Sequence, residues 1–250
     1  MRWSFGKNLK RLHSDDPYLS YHDVRLTKDD VVTLKDDWLT DNVIAFWEEY
    51  LERDYLAHYR FSNIVLLRPS MSFMLIQTPN PLTLKDALPN FSKTTHIFLP
   101  INDCRNPNQA EGGSHWSLLL VSIVDGVAFH YDSLNPANRE EAITTTKKLG
   151  TLLGKHLQFL DLPDSPQQEN SSDCGVFVCV QMKHLLLKKL MRADKEQKVS
   201  MSMGGKHIDA SHGRKAMLEI IEGFRKEGES RRSRSSSPQK YTSKSPPRID

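Results

Sequence analysis

The first thirty-odd positions carry few apolar residues in no clear period, and the stretch reads as an arm laid on a domain. Regular patterning begins after Trp38. Val43, Phe46, Trp47, Tyr50 and Leu51 recur at spacings of three and four, one apolar helical stripe, with Thr40, Asp41 or Asn42 placed to cap it. Residues 64–67 and 73–76 are short apolar runs separated by Pro69 and Ser70, and each fits a strand or part of a buried helix. Residues 96–101 read as a strand that the turn-rich stretch Asn102 to Gly113 ends. A hairpin is the clearest local signal: Trp116 to Val124 is apolar and rich in β-branched residues, Asp125-Gly126 is a preferred two-residue turn, and Val127 to Asp132 runs back. A helix over about 138–154 and a strand over Leu157 to Leu160 follow. After the polar stretch Pro163 to Asp173, the segment from Cys174 to about Met191 is apolar on nearly every face, which places that helix in the middle of the domain. Residues 192–212 lose the pattern, and Met217, Leu218, Ile221 and Phe224 mark a last helix over 214–226. From Glu229 the chain is rich in Arg, Ser and Pro and offers almost nothing to bury, so residues 229–250 are expected to be a disordered basic tail after a domain over 1–228.

Composition agrees with a folded domain, since 38% hydrophobic and 8% aromatic residues suffice for a core. The net charge of +3 sits in the tail: residues 229–250 hold six basic and two acidic residues, a net +4, which leaves −1 for the rest. The folded part therefore makes no electrostatic case for nucleic acid. Three cysteines, an odd and sparse set, imply no disulfide framework and point to a reducing compartment. The N-terminus lacks the apolar run of a secretory signal, and no apolar run approaches the roughly 20 residues of a membrane span. The expectation is a soluble, intracellular protein.

Candidate chemistry converges on Cys174. The capping run Asn170-Ser171-Ser172-Asp173 puts it in the first turn of the central helix, where the partial positive charge favours thiolate over thiol. Gly175 follows at once and is expected to leave room for a substrate backbone. Cys179 lies inside the same apolar helix and reads as core, and Cys104 reads as an incidental loop residue. His115 enters the hairpin's first strand and Asp132 leaves its second, a rigid place for a base and its orienting carboxylate. With Asp125-Gly126 as the turn, Asp132 falls opposite Leu119, on the face that His115 shares. Four residues of strand, about 13 Å, still separate the two, and a bulge or another register must close that gap. His130 competes as the base from the same face.

The strings Gly112-Gly113-Ser114-His115-Trp116-Ser117-Leu118-Leu119, His130-Tyr131-Asp132-Ser133 and Gln167-Gln168-Glu169-Asn170-Ser171-Ser172-Asp173-Cys174-Gly175 resemble the Ulp/sentrin-specific cysteine proteases. Trp38-Leu39-Thr40-Asp41 is similar to that family's N-terminal substrate-binding motif, usually Trp-Leu-Asn-Asp, with Thr in the third place. The resemblance implies an α+β, papain-like fold in which the central helix carries the nucleophile on a mixed β-sheet with surrounding helices. It implies His115 as base, Asp132 as third triad member, Cys174 as nucleophile and Gln168 as side-chain donor to the oxyanion; Gln168 by itself reads as a polar loop residue. It also implies that Trp38 and Trp116 flank a tunnel for an extended Gly-Gly tail, and that Asp41 pairs with a basic residue upstream of that tail. Core tryptophans and a helix-cap aspartate are the alternative readings.

Leu19-Ser20-Tyr21, the short arm and the Ala110-x-Gly-Gly-Ser-His-Trp approach resemble the deneddylase branch in particular. The implied activity is a thiol isopeptidase and precursor-processing protease acting on the neddylation modifier and its conjugates, such as cullins. It needs no cofactor and no metal, acts as a monomer and works in cytoplasm and nucleus. A desumoylating protease, an inactive modifier-binding relative and an acyltransferase of the same triad order are the other readings. In the tail, Ser237-Pro238 and Ser245-Pro246 are candidate phosphorylation sites.

Overall fold

A computed structural model describes residues 15–59, 63–106, 112–191, 199–234 and 245–250. The hairpin predicted at 116–132 forms the centre of a five-stranded mixed sheet. Its strands are β3 (Ile64–Leu66), β4 (His96–Asn102), β5 (Trp116–Ser122), β6 (Val127–Tyr131) and β7 (Gln158–Asp161), in that spatial order. The β4–β5 and β5–β6 pairs are antiparallel and the outer pairs parallel.

Both faces are covered, which is why β4 and β5 read as continuous apolar runs. On one face Phe98, Leu118, Leu120 and Tyr131 join the core beneath helices α2 (Asp41–Asp54), α5 (Cys174–His184) and α6 (Ala210–Arg234). On the other, Ile97, Leu99, Leu119 and Val121 pack with α3 (Pro69–Gln77) and α4 (Arg139–Leu153). The ambiguous runs resolve as strand β3 and helix α3, with Pro69 at the first helical turn where its missing N–H costs nothing. The central helix continues past His184 as a π-helical turn, Leu185–Leu190. The fold is α+β with the Cys174 helix on a mixed sheet, as expected. Among the described residues no helix is long and apolar enough to cross a membrane.

Two expectations at the chain's ends are corrected. Residues 17–33 are part of the domain and not an arm laid on it: β1 (Pro17–Tyr21) and β2 (Val24–Thr27) form a hairpin that leads into the short helix α1 (Lys28–Thr33). Leu19, Tyr21 and Leu26 are fully buried in the core. The tail also departs from the disorder expected from Glu229 onward. Helix α6 runs to Arg234, supported by the spaced ion pairs Arg225–Glu229 and Arg231–Glu227. Residues 245–250 return to the domain, where β8 (Arg248–Ile249) pairs in parallel with β1 and buries Ile249 in the same core. Ser237-Pro238 lies outside the described residues.

Gly228 allows this return, because a Cβ there would stand 3.0 Å from the Arg248 nitrogen. Truncation at Gly228 is therefore expected to lower Tm by about 5 °C, from roughly 2 kcal/mol for burying one isoleucine. Thermal unfolding of the shortened chain checks this, and an unchanged Tm would restore the view of a free tail.

Candidate active site

The hairpin register brings His115 to Asp132. Four residues, Ile123 to Gly126, make the turn instead of two, so Ser122 pairs with Val127 and Leu118 with Tyr131. Relative to the predicted pairing this slides the second strand by two residues, which preserves the shared face. Continued one step, the register sets Asp132 opposite Ser117, two residues from His115, and their side chains span the remaining distance of about 7 Å. His115 Nε2 donates to Asp132 Oδ1 at 2.6 Å, with both side chains buried.

Asp132 is held as an acceptor on both oxygens. Oδ1 also accepts from Leu134 N and Oδ2 from Asn138 N, each at 2.9 Å. Burial pushes this carboxyl toward its neutral form, but the hydrogen bonds from His115 and the two amides outweigh it and hold the pKa below its ordinary value. Burial likewise works against a charged imidazole at His115. The bond to Asp132, the contact with Cys174 and the charges of both partners win, and the pKa rises to about 9. The second ring nitrogen, Nδ1, is buried and has no hydrogen-bond partner among the described residues. His130 is different: Nδ1 meets Asp161 at 3.1 Å and Nε2 meets the Ser117 hydroxyl at 3.0 Å, so both nitrogens are engaged in a buried structural bridge.

The backbone that presents His115 depends on residues the sequence did not single out. Asp103 accepts from Ser114 N and Oγ, each at 2.6 Å, and from His115 N at 3.0 Å. These bonds keep the carboxyl ionised against the effect of burial. Gly113 turns the chain at φ +93°, where a Cβ would lie 2.2 Å from Asn102 Oδ1, so glycine is required. Asn138 donates to the carbonyls of Ile101 and His115 at 3.1 and 3.3 Å, tying α4's start to both strands. A run of Asn, Asp and Gly between strands is a loop signal, but nothing local says which partner each side chain reaches.

Cys174 is the first residue of α5 and is 1% exposed. The expected use of Gly175 is corrected: a Cβ there would stand 2.9 Å from Leu39 Cβ, so the glycine docks the Trp38–Asp41 segment on the Cys174 helix. Cys179 is core, and burial pushes its thiol well up. Cys104, expected as incidental, lies in the wall of the cleft above Cys174, with its Sγ donating to the Asn106 carbonyl.

That cleft, about 560 Å³, is lined by Trp38, Asp41, Trp116, His115 and Cys174 among others. Trp38 stays 44% exposed while its indole N–H donates to the Ser171 carbonyl at 2.6 Å. Thr40, the third residue of its motif, caps α2 through Val43 N and donates to Asp30 at 2.7 Å. Asp132 and Gln168 stand behind the cleft. Gln168 Oε1 accepts from Ser133 Oγ at 2.7 Å, and Nε2 gives one of its two protons to the Asn170 carbonyl at 2.6 Å. Five of the seven predicted site residues thus share one cavity, and the other two support it from behind.

An imidazole with a carboxylate on one nitrogen and its other nitrogen buried, beside a helix-terminal cysteine on a cleft that two tryptophans help to line, is the arrangement of a thiol-nucleophile hydrolase. Residues 37–222 match the Ulp1 protease family, C-terminal catalytic domain. The chain is 38% identical over 209 residues to NEDD8-specific protease 2 of Schizosaccharomyces pombe, covering 82% of this chain and 50% of the relative. It is 35% identical over 170 residues to human sentrin-specific protease 8, covering 66% of this chain and 78% of that one. Against NEDD8-specific protease 1 of Arabidopsis thaliana, identity is 34% over 168 residues, covering 66% and 73%. The chain spans half or less of the two S. pombe relatives it matches, 50% and 41%. A solved Ulp1 protease domain, in complex with Smt3, the yeast ortholog of SUMO, shares the fold at TM-score 0.59 and 22% identity, covering 82% of this chain and 86% of that one. The chain belongs to the Ulp1 protease family, a family of cysteine peptidases.

Proposed function

We propose that the chain is a thiol isopeptidase that cuts after the C-terminal Gly-Gly of a ubiquitin-like modifier, and that the modifier is the one attached in neddylation. The observation that carries the chemistry is the 2.6 Å bond from His115 Nε2 to Asp132, which leaves Nδ1 for Cys174 at the start of α5. His115 takes the Cys174 proton, and the thiolate attacks the glycyl carbonyl. The imidazolium then returns the proton to the leaving amine, and water, deprotonated by the same imidazole, releases the acyl group. The Cys174 backbone N–H and the second amide proton of Gln168 serve the oxyanion.

The choice of modifier is supported by the names of the NEDD8-specific and sentrin-specific relatives. Trp38 and Trp116, on the cleft wall, hold the tail extended and leave no room for a Cβ at its last two residues, while Asp41 pairs with a basic side chain upstream. Cullin conjugates as substrates, precursor processing, a monomeric enzyme, and a place in cytoplasm and nucleus belong to the same reading. Three free thiols suit a reducing compartment.

Parallel hydrolysis of fluorogenic conjugates of the neddylation modifier and of SUMO tests the choice. Higher kcat/KM on the first is expected, and faster turnover of the SUMO conjugate overturns it. A modifier bearing a C-terminal electrophile is expected to label Cys174, and failure to label would favour a binding protein that does not cut.

A further inference from the structure

Helix α5 starts without the cap its leading residue is suited to give. Aspartate is a preferred N-cap, and an N-cap normally sits in extended backbone with its side-chain oxygen on the amide two or three residues on. Thr40 does this for α2, at φ −71° and ψ 161°, and Thr27 does it for α1. Asp173 holds the same place before Cys174, yet at φ −88° and ψ −2°, and its side chain makes no capping bond.

Its carboxylate is drawn the other way. Oδ1 accepts from Arg214 Nε at 2.8 Å and Nη2 at 2.7 Å, and Oδ2 accepts from Asn170 Nδ2 at 2.8 Å. Arg214 lies in the second turn of α6 and is 5% exposed. Its Nη2 also donates to the Ser172 carbonyl at 2.9 Å, and its Nη1 to the Thr33 carbonyl at 2.8 Å. One planar guanidinium therefore fixes the carboxylate of Asp173, the peptide before it and the end of α1. An ammonium could not make that set of bonds. Gly213 lets α6 approach: a Cβ there would lie 2.9 Å from Val176 in the first turn of α5.

We propose that Arg214 is a positioning residue for the reaction: it holds Asp173 off the N-terminus of α5, leaving the first amides of that helix for the charge that develops on the scissile carbonyl oxygen. This rests on the thiol-protease reading and adds to it a group outside the cleft. Without the guanidinium, Asp173 turns to extended backbone and caps α5 as Thr27 and Thr40 cap α1 and α2. Its carboxylate then occupies amides the oxyanion needs and sets a second negative charge beside the Cys174 thiolate.

The test compares Arg214→Met, Asp173→Ala and the double variant, with Tm measured on each. The readouts are kcat and KM on a fluorogenic Gly-Gly conjugate, and the rate of Cys174 alkylation by iodoacetamide at pH 7. Chymotryptic cleavage after Phe177 puts Cys174 and Cys179 on separate peptides, so peptide mass distinguishes Cys174 from both Cys179 and Cys104. In Arg214→Met, kcat is expected to fall roughly tenfold or more, approaching the ~10²–10³ that one oxyanion donor is worth, with KM nearly constant. Alkylation slows with it. The double variant recovers most of both losses, because the competing carboxylate is gone. A double variant as slow as Arg214→Met, or an unchanged kcat in Arg214→Met, overturns the proposal. If Arg214→Met does not fold, the double variant is set against Asp173→Ala: near-equal rates are expected, and a large further loss overturns it. Alkylation needs no modifier, so a wild-type protein that alkylates at Cys174 but cuts no conjugate refutes the protease reading alone.

Discussion

Cys174→Ala is expected to reduce cleavage of a Gly-Gly conjugate by roughly 10⁴–10⁶-fold while leaving affinity for the modifier within a few-fold of wild type. Without the sulfur no acyl intermediate forms, and only attack by water, helped by whatever oxyanion donors remain, is left. Binding survives because the proposed tail contacts, Trp38, Trp116 and Asp41, stand on other elements of the cleft wall. The fold survives because alanine is the best helix former and the change removes one atom at the start of α5. Single-turnover hydrolysis together with calorimetric titration of the modifier separates the two properties. Joint loss of cleavage and binding would mean that Cys174 holds the cleft together structurally.

How much of this was legible in the chain depends on the range of each contact. The place of Cys174 at the start of the central helix was, because its signal is local: a capping run, a cysteine, then an apolar helix within twenty residues. The hairpin was too, and so was the shared face of His115 and Asp132, since both follow from a period of two. The register was not. Asp125-Gly126 looks like a complete turn, but Asp125 is held by Ser122, whose hydroxyl donates to its carboxylate at 2.6 Å and accepts from its backbone N–H at 3.2 Å. That local pairing widens the turn to four residues. The choice of His115 over His130 needed the family resemblance, because only the folded chain places Asp161 and Ser117 on the two nitrogens of His130.

The other misses have two causes, a turn without its usual residues and partners distant in sequence. The β1–β2 hairpin alternates correctly at Leu19, Tyr21, Val24 and Leu26. Its turn is His22-Asp23, however, with His22 at φ +45° where a glycine or asparagine would have announced it. Two-residue β8 pairs with a strand more than two hundred positions away, and no periodicity can reveal that. Asp103 and Arg214 look like ordinary surface charges in the sequence. Both orient the chain beside a chemical group: Asp103 at the His115 backbone, Arg214 at the residue before Cys174. Short motifs thus name candidate side chains for the chemistry, whereas the residues that fix the backbone beside them emerge only from long-range packing.

Asp132→Asn is the sharper test of the pair that the register creates. The carboxylate accepts on both oxygens, from His115 and Leu134 on one and from Asn138 on the other. An amide of the same shape has only one acceptor oxygen. If that oxygen faces His115, the NH₂ group opposes the Asn138 N–H. If it faces Asn138, the NH₂ group opposes His115 Nε2, and a neutral imidazole must then carry its proton on Nδ1, the nitrogen needed to accept from Cys174. Either outcome costs activity, and a fall in kcat of about 10²–10⁴-fold is expected. The pH profile distinguishes this from simple loosening. His115 titrates near 9, so its imidazolium, the partner of the thiolate, persists to about that pH, and the alkaline limb of kcat/KM should lie there in the wild type. Removing Asp132 deletes two influences that raise the pKa, its hydrogen bond and its charge, while burial, which lowers it, remains. The alkaline limb must therefore move to lower pH in Asp132→Asn. A limb that stays near 9 in the variant would show that Asp132 does not set the charge state of His115.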